Sequence, residues 1–149
     1  MPVVEAGQPA PDFTLARSEG GPFTRADLEG RTTVLVFYPF AFSPVCTDQL
    51  GLYNEVLDDF TARGVTLYGV SCDATWSQRA FKEQLGVAIE QLSDFEPKGA
   101  TCRAFGVLHP GGFPHRALVV IGPDGVVKWS HQALSPSELP GANLIFDAL

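Results

Sequence analysis

The sequence predicts an α/β domain with a central mixed β-sheet flanked by helices. Continuous apolar, β-branched runs occupy residues 32–38, 65–72 and 116–121, which is the pattern of strands buried on both faces. Segments with helical spacing of apolar residues lie between these runs. The chain has 149 residues and is 45% hydrophobic, so we expect residues 1–149 to form a single domain with a sizeable core.

Helices are predicted after each of the first two strands. The first covers residues 47–63 and ends at Gly64. The second begins at Thr75 or Ser77, either of which can cap it, and ends at Gly86. The apolar side chains of the first helix recur every three or four residues and form one stripe: Leu50, Tyr53, Leu57 and Phe60.

The rest of the chain predicts two shorter helices and a hairpin. The helices cover residues 99–105 and 143–149, and the turn GPDG at 122–125 leads into a last strand over 126–130. The first two strands form a strand–helix–strand unit, so they should be parallel with a right-handed crossover. The closing hairpin makes the sheet mixed. This element order is typical of a thioredoxin-like α/β domain.

Composition excludes several classes of function. The net charge is −7 and the ten Lys and Arg residues are scattered, which argues against nucleic-acid binding. No apolar run approaches the ~18 residues of a membrane span, and the N-terminus has no signal-peptide pattern. Cys46, Cys72 and Cys102 show neither metal-ligand spacing nor a disulfide framework. We therefore expect a cytoplasmic protein with free thiols, no metal and no cofactor.

Cys46 is the candidate nucleophile. It ends the segment YPFAFSPVC at 38–46 and is expected in the first turn of a helix, beyond the carboxyl end of a buried strand, where active sites of α/β sheets lie. A helix N-terminus has unpaired N–H groups and partial positive charge, which favour the thiolate. The alternative is a buried cysteine acting as a small hydrophobic residue. Pro39, Ser43 and Pro44 indicate a strand-to-helix loop instead, so we predict a reactive cysteine.

Ser43 indicates which chemistry the cysteine performs. It lies three residues before Cys46, where a disulfide-exchange motif would carry a second cysteine. Its hydroxyl can donate and accept hydrogen bonds, which suits a small polar substrate such as a peroxide. Attack on one peroxide oxygen leaves negative charge on the other, which backbone N–H groups and a guanidinium can stabilise. The expected product is a sulfenic acid on Cys46.

The chain resembles the peroxiredoxins. The spacing Pro39-x-x-x-Ser43-x-x-Cys46 matches their signature around the peroxidatic cysteine. The one-cysteine alkyl hydroperoxide reductase E-type branch is the most similar, followed by bacterioferritin-comigratory-type members. The segment GQPAPDFTL at 7–15 resembles the opening strand of the family. Three further segments are similar to the family: VTLYGVSCD at 65–73, SDFEPKGATCRAFGV at 93–107 and PHRALVVIGPDGVV at 114–127.

The resemblance implies a thioredoxin-like fold and four catalytic residues. Cys46 would be the peroxidatic nucleophile, and Ser43 would hydrogen-bond the peroxide and the cysteine sulfur. Pro39 would shield the thiolate, and Arg116 would favour the thiolate and hold the peroxide oxygens. Without the resemblance, Arg116 would be a solvated strand-end charge. Gln49 either polarises the site from the next helical turn or is a structural glutamine on the helix surface.

Turnover needs a thiol that reduces the sulfenic acid. No cysteine follows Cys102, and Gly51 occupies the position, five residues after Cys46, where many bacterioferritin-comigratory-type members carry a second cysteine. We expect an external reductant: a thioredoxin, a glutaredoxin-like protein or a low-molecular-weight thiol. The alternative is an internal disulfide from Cys46 to Cys102, expected on an exposed helix surface, or to Cys72, expected in the core at a strand end.

Two other functions use the same cysteine. A thiol–disulfide oxidoreductase is disfavoured by Ser43, whereas a redox sensor that passes oxidation to a partner needs the same reactive Cys46. The resemblance also implies a homodimer. Phe40 and Phe42 lie in the active-site loop, where they either line a peroxide pocket or pack at a subunit contact.

Overall fold

The structure is a computed structural model that describes residues 2–135 and 137–149. The strands are β1 (Thr14–Arg17), β2 (Pro22–Thr24), β3 (Thr32–Phe37), β4 (Val65–Ser71), β5 (Glu90–Ser93), β6 (Ala117–Ile121) and β7 (Val127–Gln132). The helices are α1 (Pro44–Glu55), α2 (Leu57–Ala62), α3 (Thr75–Leu85), α4 (Ala100–Ala104) and α5 (Ala142–Ala148), with a 3₁₀ turn over Arg25–Leu28. Within the described residues no helix has the length and apolar character needed to span a bilayer.

The predicted mixed sheet is confirmed. Its strand order is β2-β1-β5-β4-β3-β6-β7. β3 pairs with β4 in parallel, and with β6 antiparallel on its other edge. The turn after Ile121 closes the β6–β7 hairpin as predicted, with the Gly122 N–H donating to the Val126 carbonyl at 2.9 Å. The central strands β3, β4 and β6 are the three apolar runs of the sequence.

The sheet separates two hydrophobic cores. Alternate residues of a strand point to opposite faces. The α1-side core contains Val34, Val36, Leu50, Tyr53 and Phe60, together with Cys46. The α4-side core contains Leu35, Phe37 and Phe105, together with Cys102.

The predicted helix over residues 47–63 is two helices. α1 begins earlier, at Pro44, because a proline at the first helical position loses no hydrogen bond there. Val56 interrupts the helical backbone with ψ 16°, and α2 follows at once. The apolar stripe spans both helices, and Phe60 is fully buried. Hydrophobic periodicity therefore located the buried face correctly but did not reveal the break.

One strand expectation and one cap were wrong, and neither β2 nor β5 was predicted. β5 was not foreseen, because its sequence EQLS is short and polar although it is mostly buried between β4 and β1. The opening strand expected at 7–15 begins only at Thr14, since prolines 9 and 11 lack the N–H groups that a strand needs. The N-cap of α3 is Ala74, so neither Thr75 nor Ser77 fills that position.

Gly69 of β4 lies against the buried side chain of Gln91 in β5. The two residues are paired across the parallel strands. A Cβ on Gly69 would lie 2.4 Å from Oε1 of Gln91. Gln91 cannot move freely, because Oε1 accepts a hydrogen bond from the Tyr38 hydroxyl at 2.6 Å and Nε2 donates to the Ile89 carbonyl at 3.0 Å. Glycine at this position therefore leaves room for a hydrogen-bonded glutamine inside the sheet.

We expect Gly69→Ala to lower the free energy of unfolding by about 1–3 kcal/mol, because the added methyl group displaces Gln91 from its partners. Urea denaturation measures this change. Gly51→Ala is the matched control: Gly51 lies in α1, a Cβ there meets nothing within 4 Å, and we expect an increase of up to about 1 kcal/mol. Equal effects of the two substitutions would contradict the proposed role of Gly69.

Candidate active site

Cys46 is the third residue of α1 and lies directly beyond the end of β3. The helix begins at Pro44 with Ser43 as its N-cap, and the Thr47 N–H donates to the Ser43 carbonyl at 2.9 Å. Cys46 is 0% exposed, and its thiol is free. The sulfur is therefore held in the first turn of a helix, where the backbone N–H groups have no intrahelical acceptors. This is the position that the sequence predicted.

Arg116, which directly precedes β6, contacts the Cys46 sulfur. The antiparallel pairing of Phe37 with Ala117 brings the start of β6 beside the end of β3. Its Nη2 lies 3.4 Å from Cys46 Sγ, and the residue is only 3% exposed. The interpretation of Arg116 as a solvated charge is therefore wrong. The guanidinium therefore brings a permanent positive charge directly beside the sulfur.

Gln49 and Tyr53 support the guanidinium. Arg116 Nη1 donates to Gln49 Oε1 at 2.6 Å, and Gln49 Nε2 donates to the Tyr53 hydroxyl at 3.1 Å. Tyr53 donates in turn to the Pro140 carbonyl at 2.6 Å. Burial raises the pKa of Tyr53 to about 12, so its hydroxyl keeps its proton at neutral pH.

Most of this chain of hydrogen bonds has no clear signal in the sequence. Gln49 is 0% exposed, so its assignment to the helix surface is wrong. Tyr53 was recognised only as part of the apolar stripe. The signal was the spacing of Gln49 and Tyr53, four residues apart on one helix and thus on one face. The acceptor, Pro140, lies 87 residues further along the chain and has no local sequence signature.

The loop between β3 and α1 is held by contacts with the neighbouring elements. The Ala41 N–H donates to Asp73 Oδ2, beyond the end of β4, at 2.8 Å. Phe42 has φ 71°, a left-handed backbone conformation that is costly for a bulky residue. Its ring packs on Phe81 of α3 at 5.2 Å between centroids, and the Phe40 ring packs similarly at 4.8 Å on Phe113. These contacts offset the conformational cost of the Phe42 backbone, and they hold the turn from which α1 begins next to Arg116.

Pro39 and Ser43 lie on either side of this turn. Pro39 lines a cleft of about 150 Å³ with Arg116, Phe113 and His115. Burial and the neighbouring His109 both lower the pKa of His115, so the cleft wall carries a neutral imidazole at neutral pH. Ser43 is half-buried, and its side chain makes no capping hydrogen bond to α1.

The other two cysteines lie on the opposite face of the sheet from Cys46. Cys102 is 0% exposed in the α4-side core, so the expected exposed position is wrong. The buried residues of α4 are Thr101 and Cys102. Cys72 is half-buried at the rim of the same core, so it is less enclosed than predicted. The sulfurs of Cys72 and Cys102 and a carboxylate oxygen of Asp94 all lie within 4.8 Å of one another. Among the described residues, this is the one group of three His, Cys, Asp or Glu side chains close enough together to hold a metal ion.

Comparison with known proteins identifies relatives over most of the chain. The family model described as AhpC/TSA matches residues 6–130. A peroxiredoxin of Thermoplasma volcanium is 35% identical over 136 residues, 87% of this chain and 65% of the relative. Alkyl hydroperoxide reductase E of Mycobacterium tuberculosis is 28% identical over 149 residues, 99% of this chain and 97% of the relative. The crystal structure of AhpC from Enterococcus faecalis superposes with a TM-score of 0.85 at 26% identity, covering 99% of this chain and 90% of that one.

The range matched by the family model spans the candidate site. Residues 6–130 contain both Cys46 and Arg116, and the structural match confirms the thioredoxin-like arrangement of a mixed sheet flanked by helices. The chain spans just under two thirds, 65%, of the length of the Thermoplasma relative. The chain belongs to the AhpC/TSA family.

Proposed function

We propose that the protein is a thiol-dependent peroxidase that reduces hydrogen peroxide or organic hydroperoxides through Cys46. The observation that carries the proposal is the 3.4 Å contact between Arg116 Nη2 and the buried Cys46 sulfur at the start of α1. Membership of the AhpC/TSA family supports it, and so do relatives named as peroxiredoxin and as alkyl hydroperoxide reductase. Ser43 in place of a second cysteine disfavours disulfide exchange at this site.

In the proposed reaction the Cys46 thiolate attacks one oxygen of the peroxide. The sulfur–oxygen bond forms while the oxygen–oxygen bond breaks, and the second oxygen leaves with negative charge. Arg116 and the N–H groups of the first turn of α1 stabilise that charge. A proton completes the alcohol or water, and the sulfur becomes a sulfenic acid.

Pro39 and Ser43 have supporting roles in this proposal. Pro39 forms one wall of the cleft that leads to Arg116, and it has no N–H to offer to water. In this proposal the hydroxyl of Ser43 binds a peroxide oxygen, and the position of Ser43 directly before α1 supports this role. A cleft of about 150 Å³ suits hydrogen peroxide or the reacting end of a longer hydroperoxide.

The separation of the cysteines supports an external reductant. Cys46 lies in the α1-side core and Cys102 in the α4-side core, with the sheet between them. A disulfide needs the two Cα atoms within ~7 Å, which the intact sheet opposes. Because Cys46 is fully buried, a thioredoxin, a glutaredoxin-like protein or a small thiol gains access only when the first turn of α1 opens locally.

Two further features support the expected setting of the enzyme. The three cysteines are free, which is typical of a reducing compartment such as the cytoplasm. Phe40 and Phe42 are 49% and 47% exposed beside the site, and an exposed aromatic pair of this kind suits the contact surface of a homodimer.

The first prediction concerns the reacting pair. Cys46→Ser should abolish peroxide consumption, because serine lacks the nucleophilic sulfur. Arg116→Ala should slow sulfenic acid formation by about 10²-fold or more, because the leaving oxygen loses its positively charged partner. Rapid-quench dimedone labelling measures this rate. Arg116→Lys is the matched control: it keeps the charge but not the forked geometry, so its rate should lie between those of the wild type and Arg116→Ala. Residual turnover by Cys46→Ser would show that the assignment is wrong.

The second prediction concerns the reductant. After one equivalent of peroxide the intact mass should gain one oxygen, and dimedone should trap the product on the peptide that contains Cys46. Cys72→Ser and Cys102→Ser should form the same product at the same rate, because both residues lie across the sheet. A disulfide-linked peptide pair that includes Cys46 would establish the internal mechanism instead.

The third prediction concerns the hydrogen bonds behind Arg116. Tyr53→Phe should lower the free energy of unfolding by about 1–3 kcal/mol, because it leaves the buried Pro140 carbonyl without its donor. It should also slow oxidation of Cys46, since Gln49 then loses its acceptor. Tyr68→Phe is the control: Tyr68 is 4% exposed, and its hydroxyl makes no hydrogen bond to another side chain or backbone group of the described residues, so stability should change by less than about 0.5 kcal/mol. Similar changes in both variants would exclude a supporting role for Tyr53.

A further inference from the structure

Two cysteines and a carboxylate meet on the face of the sheet opposite Cys46. Cys72 follows β4, and Asp94 follows β5, the parallel neighbour in which Ser93 pairs with Ser71. Cys102 lies in α4, and the N–H groups of Thr101 and Cys102 donate to Asp94. The two sulfurs and a carboxylate oxygen of Asp94 all lie within 4.8 Å of one another.

The two thiols are not equivalent. Cys72 is half-buried and lines a cleft of about 340 Å³, whereas Cys102 lies behind it with 0% exposure. A hydrogen bond from Cys102 is the main cause that lowers the pKa of Cys72. The same hydrogen bond, followed by burial, raises the pKa of Cys102. The accessible sulfur is therefore favoured as the thiolate, while the buried one keeps its proton.

Asp94 is placed to receive that proton. It is 3% exposed, and its carboxylate accepts hydrogen bonds from the Thr101 N–H at 3.1 Å and the Cys102 N–H at 2.8 Å. Burial raises the pKa of Asp94, which makes the carboxylate a stronger base than an exposed aspartate. A carboxylate oxygen of Asp94 also lies within 4.8 Å of the Cys102 sulfur. An accessible thiol beside a buried second thiol is the pair that dithiol–disulfide exchange uses, and Asp94 adds a base next to the second thiol.

We propose that Cys72, Cys102 and Asp94 form a second redox centre, independent of Cys46, that exchanges with low-molecular-weight disulfides. The Cys72 thiolate attacks the substrate disulfide, forms a mixed disulfide and releases the first thiolate, which takes a proton from water. Cys102 then gives its proton to Asp94 and attacks the Cys72 sulfur. The Cys72–Cys102 disulfide forms, and the second substrate thiolate leaves and is protonated. One dithiol is oxidised and one disulfide is reduced to two thiols.

The shape and charge of the cleft indicate a small substrate. Its rim carries Phe40 and Phe95, which are 49% and 54% exposed, and the ammonium group of Lys98. An opening of about 340 Å³ admits one half of a peptide-like disulfide, and Lys98 can pair with a carboxylate of such a molecule. Pro39 lines both this cleft and the one beside Arg116, so the two sites lie on either side of the same loop.

The test uses Cys46→Ser, in which Cys72 and Cys102 are the remaining thiols, so its outcome does not depend on the peroxidase proposal. The folded protein is equilibrated with buffers of graded glutathione and glutathione disulfide containing a metal chelator, and the free thiols are then blocked with a maleimide. Intact mass should show loss of two hydrogens as the buffer becomes more oxidising, and peptide mapping should join Cys72 to Cys102. A monomer that keeps two reactive thiols throughout, or one that forms only intermolecular disulfides, would overturn the proposal.

Single variants in the same background test the two steps separately. Adding Cys102→Ser should stop the reaction at a glutathione adduct on Cys72, because nothing displaces the second thiol. Adding Cys72→Ser, the matched control, should leave the buried Cys102 unmodified. Adding Asp94→Asn should leave the rate of adduct formation within about twofold of that in Cys46→Ser. It should slow the attack of Cys102 on the adduct by about tenfold or more. Equal adduct formation on both cysteines would contradict the roles assigned to them.

Discussion

The buried guanidinium of Arg116 is the constraint on which the candidate site depends. A buried charge is costly unless polar groups surround it, and removing a partner from such a group costs several kcal/mol. Here the partners are the sulfur of Cys46 and the amide oxygen of Gln49, both from the first two turns of α1. Holding α1 in that place requires the strained turn at Phe42 and the antiparallel pairing of β3 with β6.

The sheet does more than support this site, because it divides the thiols of the protein into two environments. Alternate residues along a strand face different cores. Cys46, after β3, lies in the α1-side core, whereas Cys72, after β4, lies at the rim of the α4-side core. Cys46 meets a guanidinium and helix N–H groups, whereas Cys72 meets a second thiol and a carboxylate. One sheet therefore supports the proposed peroxide chemistry on one face and the proposed disulfide exchange on the other.

Local patterns predicted the central part of the fold because its strands are apolar on both faces. β3, β4 and β6 were found within one residue of their bounds at each end. β5 was missed because its buried residues are partly polar. The side chains of Gln91 and Ser93 form hydrogen bonds with the Tyr38 hydroxyl and the Asp73 carbonyl, respectively. Burial of a polar strand depends on partners that local hydrophobicity does not reveal.

The sequence by itself determined the candidate nucleophile and its position. A proline, a serine and a cysteine at fixed spacing between a buried strand and a helix place Cys46 in the first helical turn. Only the tertiary structure decided which groups surround each thiol. Arg116 is 70 residues from Cys46 in the chain, and Cys102 is buried against Asp94 although its short helix predicted exposure. These environments arise from strand pairing across the sheet, and pairing between distant segments leaves no periodic signal in either one.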